Sequence, residues 1–120
     1  MRPAAVRTAD STPDAFAQVA PMFTALGDPT RLHLVSRLCH EGPLSIARLT
    51  EGTPLTRQAV TKHLRVLEAA GLARAERDGR ERRWQVDTRR MAYTRRLLER
   101  ISAQWDSALA RLARHVEVSR

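Results

Sequence analysis

The segment Thr56–Ala70 (TRQAVTKHLRVLEAA) constrains this chain most, because only a helical period sorts its residues by chemistry. Spaced at about 100° per residue, Val60, Leu64 and Leu67 share one side, with Ala59, Val66 and Ala70 beside them. Arg57, Gln58, Thr61, Lys62 and Arg65 crowd an arc of roughly 140° on the other. Every long side chain in that arc donates hydrogen bonds, and the nearest acid, Glu68, lies further toward the C-terminus. Thr56 offers an N-cap, Leu55 and Val60 stand at the two positions of a hydrophobic staple, and Gly71 follows the last turn. Such a helix can offer donors to base edges in a major groove while its other side rests on a core. A merely solvated basic face would look the same in isolation, so the neighbouring segments decide.

Upstream, Thr12-Pro13 pairs a cap with proline at the first helical position, and Phe16, Val19, Phe23 and Leu26 follow at helical spacing to Gly27. Pro21 is expected to bend or divide that helix. Asp28-Pro29 repeats the signal for a second helix, with Leu32, Val35 and Leu38, ending near Gly42. Leu44-Ser45 begins a short third helix through about Thr50, capped by Ser45 and stapled by Leu44 and Leu49. A loop over Glu51–Leu55, holding Gly52 and Pro54, then leads into the basic helix. Beyond Gly71 the period falls to two: Leu72–Arg77 and Arg80–Val86 read as strands joined at Asp78-Gly79, with Trp84 and Val86 alternating against Arg83 and Gln85. Thr88 is the expected cap of a last long helix, whose Met91, Leu98, Ile101, Trp105, Leu109, Leu112 and Val116 fall within an arc of roughly 100°.

The expected fold class is therefore mainly α with a small β-hairpin, a winged helix-turn-helix over residues 12–118 behind a disordered arm, residues 1–11. The chain's 120 residues suit one domain. Its net charge of +8 favours a polyanionic partner. Nearly all of that charge is arginine, which suits bidentate phosphate and guanine contacts, although a GC-rich coding sequence enriches arginine too. Arg74, Arg77, Arg80, Arg82 and Arg83 cluster in the hairpin, diluted by Glu76, Asp78 and Glu81, so only part of this wing is expected to face DNA. No apolar span and no signal sequence is evident, and the single cysteine, Cys39, suits a cytoplasmic location. No Gly-rich phosphate loop, nucleophile elbow or HExxH zinc motif argues for an enzyme, and no cofactor is expected.

The stretches FTALGDPTRLHLVSRL (Phe23–Leu38), GPLSIARLTE (Gly42–Glu51) and LTRQAVTKHLRVLEAAGLARAERDGRERRWQVD (Leu55–Asp87) resemble the ArsR/SmtB-type winged-helix repressors, AVTKHLRVLEAAGL being the most specific part. The resemblance covers roughly residues 16–118. It implies a cytoplasmic homodimer that binds a pseudo-palindromic operator in double-stranded DNA until an unidentified inducer releases it. Family dimers pair through the first and last helices, which matches Phe16, Val19, Phe23, Leu98, Ile101, Trp105, Leu109 and Leu112. The residues expected at DNA are Ser45, Thr56, Arg57, Gln58, Thr61, Lys62, Arg65, Arg77, Arg80 and Arg82. The metal sensors of this family place cysteines on the helix before the reading helix, but Ser45–Glu51 has none. Asp106, His115 and Glu117 do not reproduce the spacing of last-helix metal sites. The chain thus looks like the metal-independent branch, with no metal ligand expected; the rival readings are a metal-released repressor and a winged-helix protein-interaction module. Cys39 is expected to be partly buried, Trp84 to fill the wing core, and His63 to bond backbone or a phosphate on the inner side of its helix. Trp105 is expected in a dimer or interhelix core, and His33, His40 and His115 in solvent.

Overall fold

The computed structural model describes residues 13–118, so the expected arm and the cap at Thr12 lie outside the described residues. The order is α1 (Pro13–Leu26), α2 (Pro29–Glu41), β1 (Leu44–Ser45), α3 (Ile46–Glu51), α4 (Arg57–Ala69), β2 (Ala73–Asp78), β3 (Glu81–Val86) and α5 (Thr88–Val118). Helix α1 runs unbroken through Pro21, so of the bend or division expected there the division does not occur. Pro21 sits on the exposed side, while Ala15, Val19, Met22 and Ala25 bury the other, so packing holds the helix across one missing hydrogen bond. At α2, the Asp28 carboxylate accepts the Arg31 backbone N–H at 3.0 Å. Gly42, at φ +87°, turns the chain out of the helix while its N–H bonds Leu38 O at 3.0 Å.

Leu44-Ser45 is not the start of a helix but a short strand, pairing antiparallel with Trp84 and Arg83 in a three-stranded sheet of order β1-β3-β2. Two residues are too few for alternation to be visible in sequence. Ser45 nevertheless caps α3, its Oγ accepting the Arg48 N–H at 3.2 Å. The hairpin loop is Gly79-Arg80 rather than Asp78-Gly79, because Asp78 and Glu81 still pair as strand partners. Gly79 at φ +67°, followed by a residue of ordinary φ, is the pattern of a type II′ turn. Asp87, not Thr88, caps α5: its carboxylate accepts the Arg90 N–H at 3.2 Å, and its own N–H is tied to Leu72 O at 2.9 Å.

One core joins all these elements. Leu34, Leu49, Val60, Leu64, Leu67 and Leu72 are wholly buried, and Met22 and Trp84 nearly so. The apolar side of α4 thus faces inward as its period dictates, each such side chain contributing about 2 kcal/mol by leaving water. Val66 departs from that expectation: it lies at the margin of the apolar arc and is 42% exposed. Cys39 is exposed rather than partly buried. It stands about 90° from the centre of the arc that Leu34, Val35 and Leu38 define.

Arg37 holds the short helix α3 in place from α2. Its Nη1 donates to Arg48 O at 3.2 Å and to Leu49 O at 3.1 Å, satisfying carbonyls that the last turn of α3 leaves open. Nε donates to Glu41 Oε2 at 3.0 Å, and this hydrogen bond holds the Glu41 carboxyl below its ordinary range. Gly52 leaves the room: a Cβ there would run into the Arg37 guanidinium. Replacing Arg37 with Met, or Gly52 with Ala, is therefore expected to lower stability by about 0.5–1.5 kcal/mol, since either change removes the guanidinium from the α3 carbonyls. Urea unfolding of both variants against the parent checks this, and a combined variant no worse than Arg37→Met alone would confirm the shared cause.

Candidate nucleic-acid interface

Helix α4 is set by its caps and its buried side. Thr56 Oγ1 accepts the Ala59 N–H at 3.1 Å, and the Thr56, Arg57, Gln58, Lys62 and Arg65 side chains all stand in solvent. Among the described residues the side chains of Arg57, Gln58 and Lys62 make no hydrogen bond or ion pair that would occupy their donors. Thr61 differs: its hydroxyl donates to Arg57 O at 2.8 Å, which leaves its oxygen as an acceptor and its methyl group for apolar contact. Arg65 is partly committed. Its Nη1 lies 3.2 Å from Glu68 Oε1, and its guanidinium sits 5.8 Å from the centre of the Trp84 ring. That cation–π contact ties α4 to the root of the wing.

The strand register divides the wing arginines between two faces. Arg74, Glu76 and Asp78 share one face with Glu81, Arg83 and Gln85. Both cations on that face are paired with acids: Arg74–Glu76 at 3.2 Å, Arg83–Asp78 at 3.5 Å and Arg83–Glu81 at 3.5 Å. The other face carries Ala73, Ala75, Trp84 and Val86 into the core and then, beyond them, sets Arg77 directly opposite Arg82. Like charges in direct cross-strand register repel, and no acid pairs with either one among the described residues. Arg80 adds a third cation at the turn. The free arginines therefore lie on the Trp84 face, which is the face that meets Arg65 of α4.

Of the residues anticipated at DNA, Thr56, Arg57, Gln58, Thr61, Lys62 and Arg65 belong to α4 and its cap, and Arg77, Arg80 and Arg82 to the wing. The two elements meet where Arg65 lies over Trp84, while Ser45 is a half-buried helix cap. Sequence spacing had not distinguished the two wing faces, since that needs the register. The His63 ring is placed against side chains rather than backbone: its Nδ1 lies 3.4 Å from Arg31 Nη1 and 3.9 Å from Asp28 Oδ2. Its partners are more than thirty residues away in sequence, beyond the reach of any local pattern.

The apolar residues anticipated at a dimer interface fall into two groups. Phe16 and Phe23 are 46% and 39% exposed, and Leu98, Ile101, Trp105, Leu109 and Leu112 are likewise exposed. Val19 is a correction: it is 3% exposed and belongs to the core of its own chain. It lies on the edge shared by two adjoining stripes of α1, one facing inward and one outward, and helical spacing alone merges them.

A family model described as "Helix-turn-helix domain" matches residues 26–75, from the last residue of α1 into β2. The chain is 38% identical over 95 residues to the HTH-type transcriptional regulator Rv2034 of Mycobacterium tuberculosis, covering 79% of this chain and 85% of that one. Its structure is similar to an ArsR-like transcriptional regulator from Rhodococcus sp. RHA1, with TM-score 0.69, 38% identity, and coverage of 82% of this chain and 92% of that one. The homodimeric winged helix-turn-helix DNA-binding domain Mb0332 from Mycobacterium bovis shares the fold at TM-score 0.60 and 21% identity, over 75% of this chain and 82% of that one. Among the described residues no helix is long and apolar enough to cross a membrane. With a capped reading helix, an arginine-bearing wing and these relatives in agreement, the chain belongs to the ArsR family of winged helix-turn-helix, DNA-binding transcriptional regulators.

Proposed function

We propose that the protein is a cytoplasmic, homodimeric repressor that binds a pseudo-palindromic operator and does so without a metal cofactor. The observation that carries the reading is the unbalanced donor surface, in which Arg57, Gln58 and Lys62 of α4 and Arg77 and Arg82 of the wing have no partner among the described residues. Polyanionic phosphate relieves the Arg77–Arg82 repulsion that the fold tolerates when free. In this reading α4 enters the major groove, Gln58 and Arg57 reach base edges, and the Trp84 face of the wing lies along the flanking backbone or minor groove.

Dimerisation is supported by α5. From Leu98 to Val118 every residue of this helix is exposed, a length of about 30 Å at 1.5 Å per residue. Leu98, Ile101, Trp105, Leu109, Leu112 and Val116 present one apolar stripe along it, which a second copy would cover together with Phe16 and Phe23. A two-fold dimer would present two α4 helices to successive major grooves, with half-sites about 10 bp apart or a multiple of that. Metal independence is supported by the cysteine-free helix Ile46–Glu51 and by α5, where Asp106 and His115, nine residues apart, point to opposite sides.

Measured by fluorescence anisotropy, Arg77→Ala and Arg82→Ala should each weaken binding to all duplexes and reduce the salt slope by about one. Arg74→Ala, from the neutralised face, should change the slope little, and equal effects of all three would refute the assignment of faces. Gln58→Ala should instead change which sequences are selected from a randomised pool, at a discrimination of about 1–3 kcal/mol. Trp105→Glu with Leu109→Glu should shift sedimentation toward the monomer and weaken operator binding, whereas a monomeric parent would exclude the dimer. Zinc or arsenite is expected to leave operator affinity unchanged; a fall on addition would establish the metal-released alternative.

A further inference from the structure

Resting on the DNA-reading role of α4, we infer that Arg31 and His63 are positioning residues for DNA binding, fixing the roll of α4 through a contact that requires a neutral His63 ring protonated on Nε2. The two residues touch across α2 and α4, with His63 Nδ1 3.4 Å from Arg31 Nη1. A guanidinium can only donate, so this contact is a hydrogen bond when Nδ1 is the acceptor and the ring proton sits on Nε2. Arg31 is itself anchored: its Nε donates to Ala25 O at the end of α1, and its backbone N–H donates to the Asp28 carboxylate at 3.0 Å. One side chain thereby joins the end of α1, the start of α2 and the middle of the reading helix.

The placement on α4 explains what the contact can do. His63 lies about 170° around the helix from the centre of the donor arc, on the flank of the apolar side. Val60, Leu64 and Leu67 hold that side against the core, but apolar burial is non-directional and tolerates small rotations. A directed hydrogen bond from a fixed partner does not. At a side-chain radius of about 6 Å, a roll of roughly 10° carries the tips of Gln58 and Lys62 by about 1 Å. A bidentate pair of hydrogen bonds to a base edge loses its geometry over such a distance, while a point contact to phosphate survives it. The His63–Arg31 contact is therefore placed to govern sequence preference more than bulk affinity.

The charged groups facing the ring from α2 are Arg31 and Asp28, and α1 contributes the Ala25 carbonyl that holds Arg31. On α4 the adjoining cation is Lys62, and the neighbours one turn away, Ala59 and Leu67, are apolar. Asp28 Oδ2 stands 3.9 Å from Nδ1, beyond hydrogen-bonding distance, and its carboxyl is held below the ordinary 3.8, chiefly by the Arg31 backbone N–H.

The test uses the full chain. Ring ¹⁵N shifts of His63 at a pH of about 8 should report the Nε2–H tautomer, with that bias lost in Arg31→Met. Binding is then compared between a duplex selected by the wild type from a randomised pool and a random-sequence duplex. Arg31→Met and His63→Leu should each reduce the preference for the selected duplex by about tenfold, with random-duplex affinity changed by less than about twofold. His63→Asn, whose Oδ1 stands where Nδ1 stands, should restore most of the preference. Should Arg31→Met fail to fold, His63→Leu decides alone. An Nδ1–H tautomer, full preference in His63→Leu, or no recovery in His63→Asn would each overturn the positioning role. A wild type that selects no duplex would remove the reading function itself and this role with it.

Discussion

Everything in this structure depends on the inward face of α4 sharing one buried apolar core with Trp84, Leu34, Leu38 and Leu72. A helix that carried its donors on a looser body would present them at an indefinite angle. The wholly buried side chains Val60, Leu64 and Leu67 set that body, and Trp84 fixes the wing to it from β3. Polar contacts then refine what burial leaves coarse: Arg37 holds α3, Arg65 reaches from α4 to the Trp84 ring, and Arg31 reaches from α2 to His63. Three arginines thus serve as struts inside the fold, and a count of positive charge overstates what is offered to DNA.

The helices were legible because each carries its own punctuation. Thr56, Ser45 and the Asp28-Pro29 pair all cap where their side chains allow, and the apolar period of α4 points where the core lies. What was not legible came from partners distant in sequence. β1 exists only because Leu44 meets Trp84, forty residues further on. Val19 turns inward, while Phe16 and Phe23 on the same apolar arc stay out, because the body of the chain covers only one side of α1. Among the site residues, the donors of α4 could be named in advance, yet the split of the wing into balanced and unbalanced faces needed the strand register. Moving the turn by one residue, from Asp78-Gly79 to Gly79-Arg80, is what places Arg77 against Arg82.

That pairing shows how a small basic domain separates solubility from recognition. Salt bridges among Arg74, Glu76, Asp78, Glu81 and Arg83 quiet one face of the wing. The opposite face keeps an uncompensated repulsion at its edge, a modest cost in the free protein that a row of phosphates turns into attraction. On the proposed reading, the charge that matters for binding is local and directional, carried by Arg57, Lys62, Arg77, Arg80 and Arg82 rather than by the net +8 of the chain.

Helix α5 has a consequence of another kind. A segment whose last twenty-one residues are all exposed gains little hydrophobic stabilisation from its own chain. On the dimeric reading, the missing stabilisation arrives only with a second molecule, so the order of this helix rises with protein concentration by mass action. Newly made chains at low copy number would carry a frayed arm and reading heads with no fixed spacing. Abundance itself then acts as an input: the regulator is assembled into a measuring device only once enough of it has accumulated, before any small molecule has been sensed.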